Sequence, residues 1–476
     1  MRNFVLQSVA MDVKQIYTGC LSEAAYFISS EGEAAVIDPL RDVDSYLRMA
    51  EEKGVKIKYI FETHFHADFV SGHLELSRKT GAPIIYGPQT EAKFPVHIAE
   101  DGEEFMIGKL RLKAVHTPGH TLESTCYLLH DESDQPYCIF TGDTLFVGDV
   151  GRPDLFSGNL SKEELAGQMY DSLQRKIKPL EDHIIVYPAH GPGSACGKSL
   201  GPETFSTIGE QKRSNYALKD MSREEFIDAV TSGLSEPPAY FPVNARINKE
   251  GYDSLDEILG TAQALSVEEF KERKKAGAWI VDTRPASEFT GSFIPDSIFI
   301  GLDGRFAEWA GTLLPFNQPL ILVTEEGREE ESIIRLSRVG IDNVQGYLKG
   351  GFATWQAAGQ RTDMIIDIEA EELAMDIPHD NKLEIIDVRK ESEFEAGHVR
   401  GAQNVPLNQM MDTVIIANIN DDNNLYVHCA GGYRSVIAAS LLKRQGYHNL
   451  RNILGGWSRI REVKKMPLIA PSSQEI

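Results

Sequence analysis

Thr63-His64-Phe65-His66-Ala67-Asp68-Phe69 follows an apolar stretch, Ile57, Tyr59, Ile60 and Phe61, that reads as a strand ending at the histidines. In an extended chain His64 and His66 project to the same side, so two imidazoles are expected to converge on one point. Three further ligand-type residues each sit where an apolar run stops. They are His120 in Thr117-Pro118-Gly119-His120-Thr121, Asp143 in Phe140-Thr141-Gly142-Asp143, and His190 in Val186-Tyr187-Pro188-Ala189-His190. Strand ends and the loops after them are where a rigid scaffold presents reactive groups.

This His-x-His-x-Asp string with a later His, Asp and His resembles the metallo-β-lactamase fold in its glyoxalase II branch, over about half of the chain. The resemblance implies an αββα sandwich. It also implies a first metal near His64, His66, His120 and Asp143, and a second near Asp68, residue 69, Asp143 as a bridge, and His190. Five ligand-type residues in that family's order outweigh the ordinary expectation that a histidine is structural or solvated, which is kept for others such as His73 and His130. Position 69 is Phe in this chain. A phenyl ring offers no lone pair, which leaves the second site poor for a hydrolytic metal pair. One metal per chain is therefore expected. Gly148-Asp149-Val150-Gly151-Arg152-Pro153-Asp154 is similar to a segment of the persulfide dioxygenases, mononuclear members of this fold. That likeness implies Fe(II) on His64, His120 and Asp143, with His66, Asp68 and His190 in supporting or alternative metal roles. Two imidazoles and one carboxylate form the facial triad of non-haem Fe(II), and zinc accepts the same donors.

The second informative segment is Cys429-Ala430-Gly431-Gly432-Tyr433-Arg434-Ser435, between a strand-like Leu425-Tyr426-Val427 and the apolar helical run Val436–Leu442. A cysteine opening a loop into a helix N-terminus meets backbone N–H groups and the positive end of a helix dipole, which favour a thiolate or a persulfide anion. With Asp387-Val388-Arg389, Glu393-Phe394, Gly397-His398 and Gly455-Gly456-Trp457, the segment resembles the rhodanese signature. The resemblance implies a sulfur-carrying Cys429, with Arg434 and the N–H groups of Ala430, Gly431, Gly432 and Tyr433 around the anionic sulfur.

A similar pattern occurs once before, in Asp282-Thr283-Arg284, Glu288-Phe289 and Gly350-Gly351-Phe352, an internal repeat of roughly one hundred residues. Val323-Thr324-Glu325-Glu326-Gly327-Arg328 then places Glu325 at the cysteine position, and this copy reads as catalytically inactive, either a packing spacer between the active domains or a docking surface. The expected order is an α/β multidomain chain: a metal domain over 1–250, an inactive rhodanese-like domain over 262–361 and a rhodanese domain over 365–476, both with parallel sheets. Pro237, Pro238 and Pro242 mark the linker after the metal domain.

Forty-eight basic against 71 acidic residues give a net charge of −23, which argues against nucleic acid. No apolar run approaches the length of a membrane span. Five scattered cysteines without a C-x-x-C pair suggest a reducing compartment, with cytoplasm as the default. Homo-oligomers are compatible with all of this.

Together these readings imply oxidation of a low-molecular-weight thiol persulfide by O2 to sulfite and thiol, coupled to a sulfurtransferase that forms or uses thiosulfate. Arg152 and Tyr187 are candidates for gripping the thiol carrier. Cys196, in Gly193-Ser194-Ala195-Cys196-Gly197-Lys198, is a candidate sulfur acceptor near the metal, with Lys198 favouring its thiolate. The competing classes are a mononuclear zinc thioester hydrolase with an appended sulfurtransferase, which Phe69 opposes, and a sulfur relay with a structural metal.

Overall fold

The computed structural model describes residues 11–155 and 160–470. The chain divides into two compact units, residues 1–256 with 336–340, and residues 257–335 with 341–476.

The first unit is built on two six-stranded sheets. One holds β1 (Asp12–Thr18), β2 (Glu23–Ser30), β3 (Glu33–Ile37), β4 (Lys56–Phe61), β5 (Ile84–Tyr86) and β6 (His97–Ile98) in sequence order. The other holds β7 (Glu104–Ile107), β8 (Leu110–His116), β9 (Thr125–His130), β10 (Pro136–Gly142), β11 (Ile185–Pro188) and β12 (Ser206–Thr207). Their facing sides share one apolar core, in which Tyr26, Ile28 and Phe61 meet Leu112, Tyr127 and Phe140. The helices Asp44–Lys53 and His73–Thr80 cover the outer face of the first sheet through Tyr46, Met49 and Leu76. The helix Lys162–Ser172 covers the second through Ala166 and Met169. Both sheets are apolar on two faces, so strands such as β2 are buried along their whole length. This is the expected αββα sandwich.

Two expectations of local structure do not hold. The motif is not extended: β4 stops at Phe61, and residues 62–70 form an irregular loop, so period-2 reasoning does not apply to His64 and His66. Pro242 does not lie in a linker. It opens the helix Phe241–Glu250 near its first turn, where its missing N–H costs nothing. That helix sends Asn248 into the motif loop, where its amide donates to the carbonyls of His66 (2.8 Å) and Phe69 (2.7 Å) and its oxygen accepts from Ser71 N–H at 2.9 Å.

The second unit contains two five-stranded sheets of the same design. The first runs β13 (Gln263–Leu265), β17 (Val344–Leu348), β16 (Leu320–Val323), β14 (Trp279–Asp282), β15 (Ile298–Phe299), all parallel. The second runs β18 (Ile366–Ile368), β23 (Leu450–Ile453), β22 (Asn424–His428), β19 (Leu383–Asp387), β21 (Gln403–Asn404), again all parallel. A short antiparallel pair, β20 (His398–Val399) with β24 (Leu468–Ile469), is added to the second copy.

Strand register corrects one reading of the repeat. Asp282 pairs with Val323 in the first copy as Asp387 pairs with His428 in the second. Each aspartate also holds the arginine two residues on, Arg284 and Arg389. The residue matching Cys429 is therefore Thr324, not Glu325. The glycine turns agree, since a Cβ on Gly351 would meet the Thr324 carbonyl as one on Gly456 would meet the Cys429 carbonyl. The position carries no thiol in either register.

Candidate metal centre and sulfur loop

His64, His120 and Asp143 come together with their ligand atoms within 4.8 Å of one another, all buried. His64 comes from the motif loop, His120 from the turn between β8 and β9, and Asp143 from the end of β10. Each imidazole is fixed in one tautomer by its other nitrogen. The Thr63 hydroxyl donates to Asp38 at 2.8 Å and so can only accept from His64 Nδ1, 3.0 Å away. The Arg152 carbonyl, 2.8 Å from His120 Nδ1, can likewise only accept. Both histidines therefore turn Nε2 toward Asp143, whose Oδ2 lies 3.8 Å from the first and 3.4 Å from the second. Burial and the neighbouring histidines hold the His64 pKa well below the usual value, keeping the ring neutral. Both oxygens of Asp143 lack a hydrogen-bond partner although buried. Two imidazoles with Nε2 turned inward and a buried carboxylate without a hydrogen-bond partner fit a divalent cation.

His190 lies on the other side of Asp143, with Nε2 3.4 Å from Oδ1 and 3.6 Å from Asp68 Oδ2. Its Nδ1 donates to the Ser22 carbonyl at 3.2 Å, which leaves Nε2 facing the two carboxylates. His66 behaves differently. Its Nε2 lies 3.2 Å from Asp38 and 3.5 Å from Glu62. Burial lowers its pKa, but Asp38, Glu62 and Asp68 outweigh that and raise it to about 10, which favours the charged ring. Phe69, fully buried, lies against it with ring centroids 4.3 Å apart.

The Gly151-Arg152 segment acts through its backbone. Gly151 N–H donates to the Asp143 carbonyl at 2.9 Å, and a Cβ at this position would collide with that carbonyl. The Arg152 side chain does not face a substrate: it is buried, pairs with both oxygens of Asp154 and reaches the carbonyls of Ala195 and Ser235. Tyr187 is engaged in the sandwich core, where it stacks on Phe140 at 5.6 Å, and burial raises its phenol pKa to about 12. The expected influence of Lys198 on Cys196 is also absent. The Lys198 ammonium binds the Ala229 carbonyl, while burial, Asp68 and Asp143 push the Cys196 thiol well above its ordinary range.

A cavity of about 750 Å³ opens beside His120, lined by Phe65, Gln89, Glu123, Leu155, Arg246 and Lys249 among others. It is large enough for a small organic substrate. The sequence reading missed four contributors: Asp38, Glu62, Asn248 and the cavity residue Arg246. Asp38 alone had a signal, as a carboxylate ending the apolar run Ala34–Ile37.

In the second unit, Cys429 follows β22 and is buried. Gly432 N–H donates to its sulfur at 3.1 Å, and Gly432, at φ +107°, starts the helix Tyr433–Arg444. The Cys429 carbonyl accepts from Trp457 N–H at 2.7 Å, and the Ala430 carbonyl from Ser458 N–H at 3.0 Å, so the Gly455-Gly456-Trp457 turn clamps the loop. Arg434 is bound to both oxygens of Glu393 at 2.7 and 2.8 Å, and acts on the loop as part of that pair. Tyr433 reaches into the first copy, where its hydroxyl donates to the Gly301 carbonyl at 2.7 Å and its ring lies over Gly304. The first copy therefore forms a wall of the sulfur loop and is more than a spacer. All five cysteines are free thiols.

The metallo-beta-lactamase superfamily profile matches residues 18–190, and the rhodanese-like domain profile matches residues 266–358 and 369–462. A probable hydroxyacylglutathione hydrolase of Schizosaccharomyces pombe is 30% identical over 181 residues, 37% of this chain and 66% of that protein. The hydroxyacylglutathione hydrolase of Citrobacter koseri is 36% identical over 163 residues, 34% of this chain and 59% of that protein. The chain thus spans less than two thirds of the length of these curated relatives. Among solved structures, a metallo-beta-lactamase from Staphylococcus aureus subsp. aureus COL is 34% identical, with a TM-score of 0.63, covering 72% of this chain and 99% of that one. ETHE1 from Myxococcus xanthus is 33% identical, with a TM-score of 0.43, covering 50% of this chain and 100% of that one. With sequence likeness along nearly the whole length of the S. aureus protein, the chain belongs to the metallo-beta-lactamase superfamily and carries two rhodanese-like domains after the metal-binding fold.

Proposed function

We propose that the chain is a persulfide dioxygenase coupled to a sulfurtransferase: a thiol persulfide, O2 and water give the thiol and sulfite. The observation that carries this reading is Phe69, a buried phenyl ring where a hydrolytic metal pair needs an imidazole. His64, His120 and Asp143 would hold one Fe(II), which when bound supplies the activation of O2. Thr63 and the Arg152 carbonyl hold Nδ1 of the two imidazoles and so aim Nε2 at the site. The cavity beside His120 would receive the thiol carrier.

Cys429 would carry the sulfane sulfur as a persulfide. Sulfite attacks its outer sulfur, a new S–S bond forms, the bond to Sγ breaks, and Cys429 leaves as thiolate with thiosulfate as product. Gly432 N–H receives that charge. Both domains then handle one sulfur group. The free thiols support a reducing compartment such as the cytoplasm.

A second reading, thioester hydrolysis, is supported by the names of the curated relatives. Oxygen consumption by anaerobically iron-loaded protein, on addition of a low-molecular-weight persulfide, separates the two when bound metal is counted in the same sample. Uptake with about one iron per chain and sulfite or thiosulfate as product is expected. Bound zinc, no uptake and cleavage of a glutathione thioester would replace this reading with the hydrolase.

A further inference from the structure

A line of hydrogen bonds runs from Cys429 through the sheet into the first copy. The Cys429 sulfur lies 3.7 Å from Ser435 Oγ and donates to it. The Ser435 hydroxyl donates in turn to Asn452 Oδ1 at 2.7 Å, with the Gly432 carbonyl a more distant acceptor at 3.0 Å. Asn452 Nδ2 donates to Asp367 Oδ1 at 2.7 Å, and the Thr290 hydroxyl of the first copy donates to Asp367 Oδ2 at 2.6 Å. Cys429, Ser435, Asn452 and Thr290 are all buried.

The direction of these bonds is set at the far end. A carboxylate only accepts, so Asp367 takes the NH2 of the Asn452 amide and leaves its oxygen facing Ser435. Ser435 has one proton, which Asn452 receives, and its oxygen turns lone pairs toward Cys429. That arrangement suits a sulfur bonded to a proton or to a second sulfur atom, and it opposes a bare thiolate. Turning the hydroxyl toward a thiolate would strip the buried Asn452 oxygen of its donor.

Strand register ties the line to the copy that has the thiol. Two residues before Cys429, Val427 pairs with Asn452, which pairs with Asp367. Two residues before Thr324, Leu322 pairs with Tyr347, which pairs with Ala264. The first copy has neither the amide nor the carboxylate at these positions.

We propose that Asn452, held by Asp367 and Thr290, is a positioning residue that keeps sulfane sulfur on Cys429 by directing the Ser435 proton away from it. In loading, the Cys429 thiolate attacks the outer sulfur of thiosulfate. An S–S bond forms at Sγ, the S–S bond of thiosulfate breaks, and sulfite leaves with that electron pair. The negative charge passes from Sγ to the outer sulfur of the persulfide, away from the Ser435 lone pairs, so the line favours the loaded state over the empty one. The catalytically inactive copy contributes through Thr290. This inference rests on the sulfurtransferase reading of Cys429.

The test is the loading equilibrium of the full-length protein in mixtures of thiosulfate and sulfite at one pH. The loaded fraction is read by mass spectrometry as the gain of one sulfur atom on the Cys429 peptide. Asn452→Ala frees the Ser435 proton for the thiolate and should raise the thiosulfate-to-sulfite ratio at half loading about tenfold. Asp367→Ala should act in the same direction. Thr290→Val keeps the side-chain shape, lies in the other copy and should give a smaller shift of the same sign. In a Ser435→Ala background all three should lose their effect, which a general loosening of the fold would not produce. An unchanged ratio in Asn452→Ala and Thr290→Val, or an equal shift without the Ser435 hydroxyl, overturns the inference, and loading of the wild type then keeps the sulfurtransferase reading. A wild type that takes up no sulfur at any ratio overturns both.

Discussion

Nδ1 of His64 lies 3.0 Å from the hydroxyl of Thr63, whose own proton is taken by Asp38. Thr63→Val keeps the shape of the site and removes the group that fixes the tautomer. We expect metal affinity to fall about 10- to 100-fold, the usual effect of losing such a partner, as measured by competition with a chromophoric chelator. An unchanged affinity would mean that packing alone orients the ring.

His64→Ala or Asp143→Ala should abolish oxygen uptake and leave thiosulfate sulfurtransfer through Cys429 intact, since the two sites use separate donors. Assaying both activities on one preparation decides it. Loss of both together would show that the domains do not work independently.

Gly304→Ala places a methyl group against the Tyr433 ring. Overpacking of this kind costs about 1–3 kcal/mol, and it should appear as slower thiosulfate-to-cyanide transfer with oxygen uptake unaffected. Tyr433→Phe removes only the bond to Gly301, worth about 0.5–1.5 kcal/mol. Wild-type transfer rates in both variants would return the first copy to the status of a spacer.

Asn248→Ala leaves the carbonyls of His66 and Phe69 and the N–H of Ser71 without their partner. Each buried group so exposed costs about 1–3 kcal/mol. The metal-binding unit should melt at a clearly lower temperature, and calorimetry of the full chain checks this against the transition of the second unit.

Burial holds the pKa of His428 below the usual value. Its unfolded form takes up a proton as the pH falls through about 6.5 while the folded form resists, so stability declines on acidification, by up to about 1.4 kcal/mol per pH unit. Urea unfolding at pH 7.5 and 5.5 should show this loss in the second unit, and His428→Gln should flatten it. An equal slope in the variant would assign the acid sensitivity elsewhere.

The sandwich and the paired rhodanese sheets were legible because apolar runs, strand ends and repeated Asp-x-Arg motifs are properties of contiguous sequence. His64, His120 and Asp143 were legible for the same reason, each standing where a strand gives way to a loop. What escaped depends on register or on backbone atoms. The shift from Glu325 to Thr324 is set by the pairing of Asp282 with Val323, which no local motif reveals. Arg152 reads as a charged side chain, yet it serves the centre through its carbonyl. Asn248 arrives from a helix some 180 residues beyond the loop it clamps, in a stretch whose prolines suggested a linker.

The correspondence of Thr324 with Cys429 bears on redesign. Thr324→Cys exchanges a hydroxyl for a thiol and removes one methyl group, yet it would not convert the first copy into a working carrier. The following loop carries Glu325 and Glu326 where the active copy carries Ala430 and Gly431. Its arginine, Arg328, already bonds Glu325, Glu331 and Asp303. Restoring function would require transplanting the whole turn, from residue 324 to the start of the helix Glu329–Ser337, as one block.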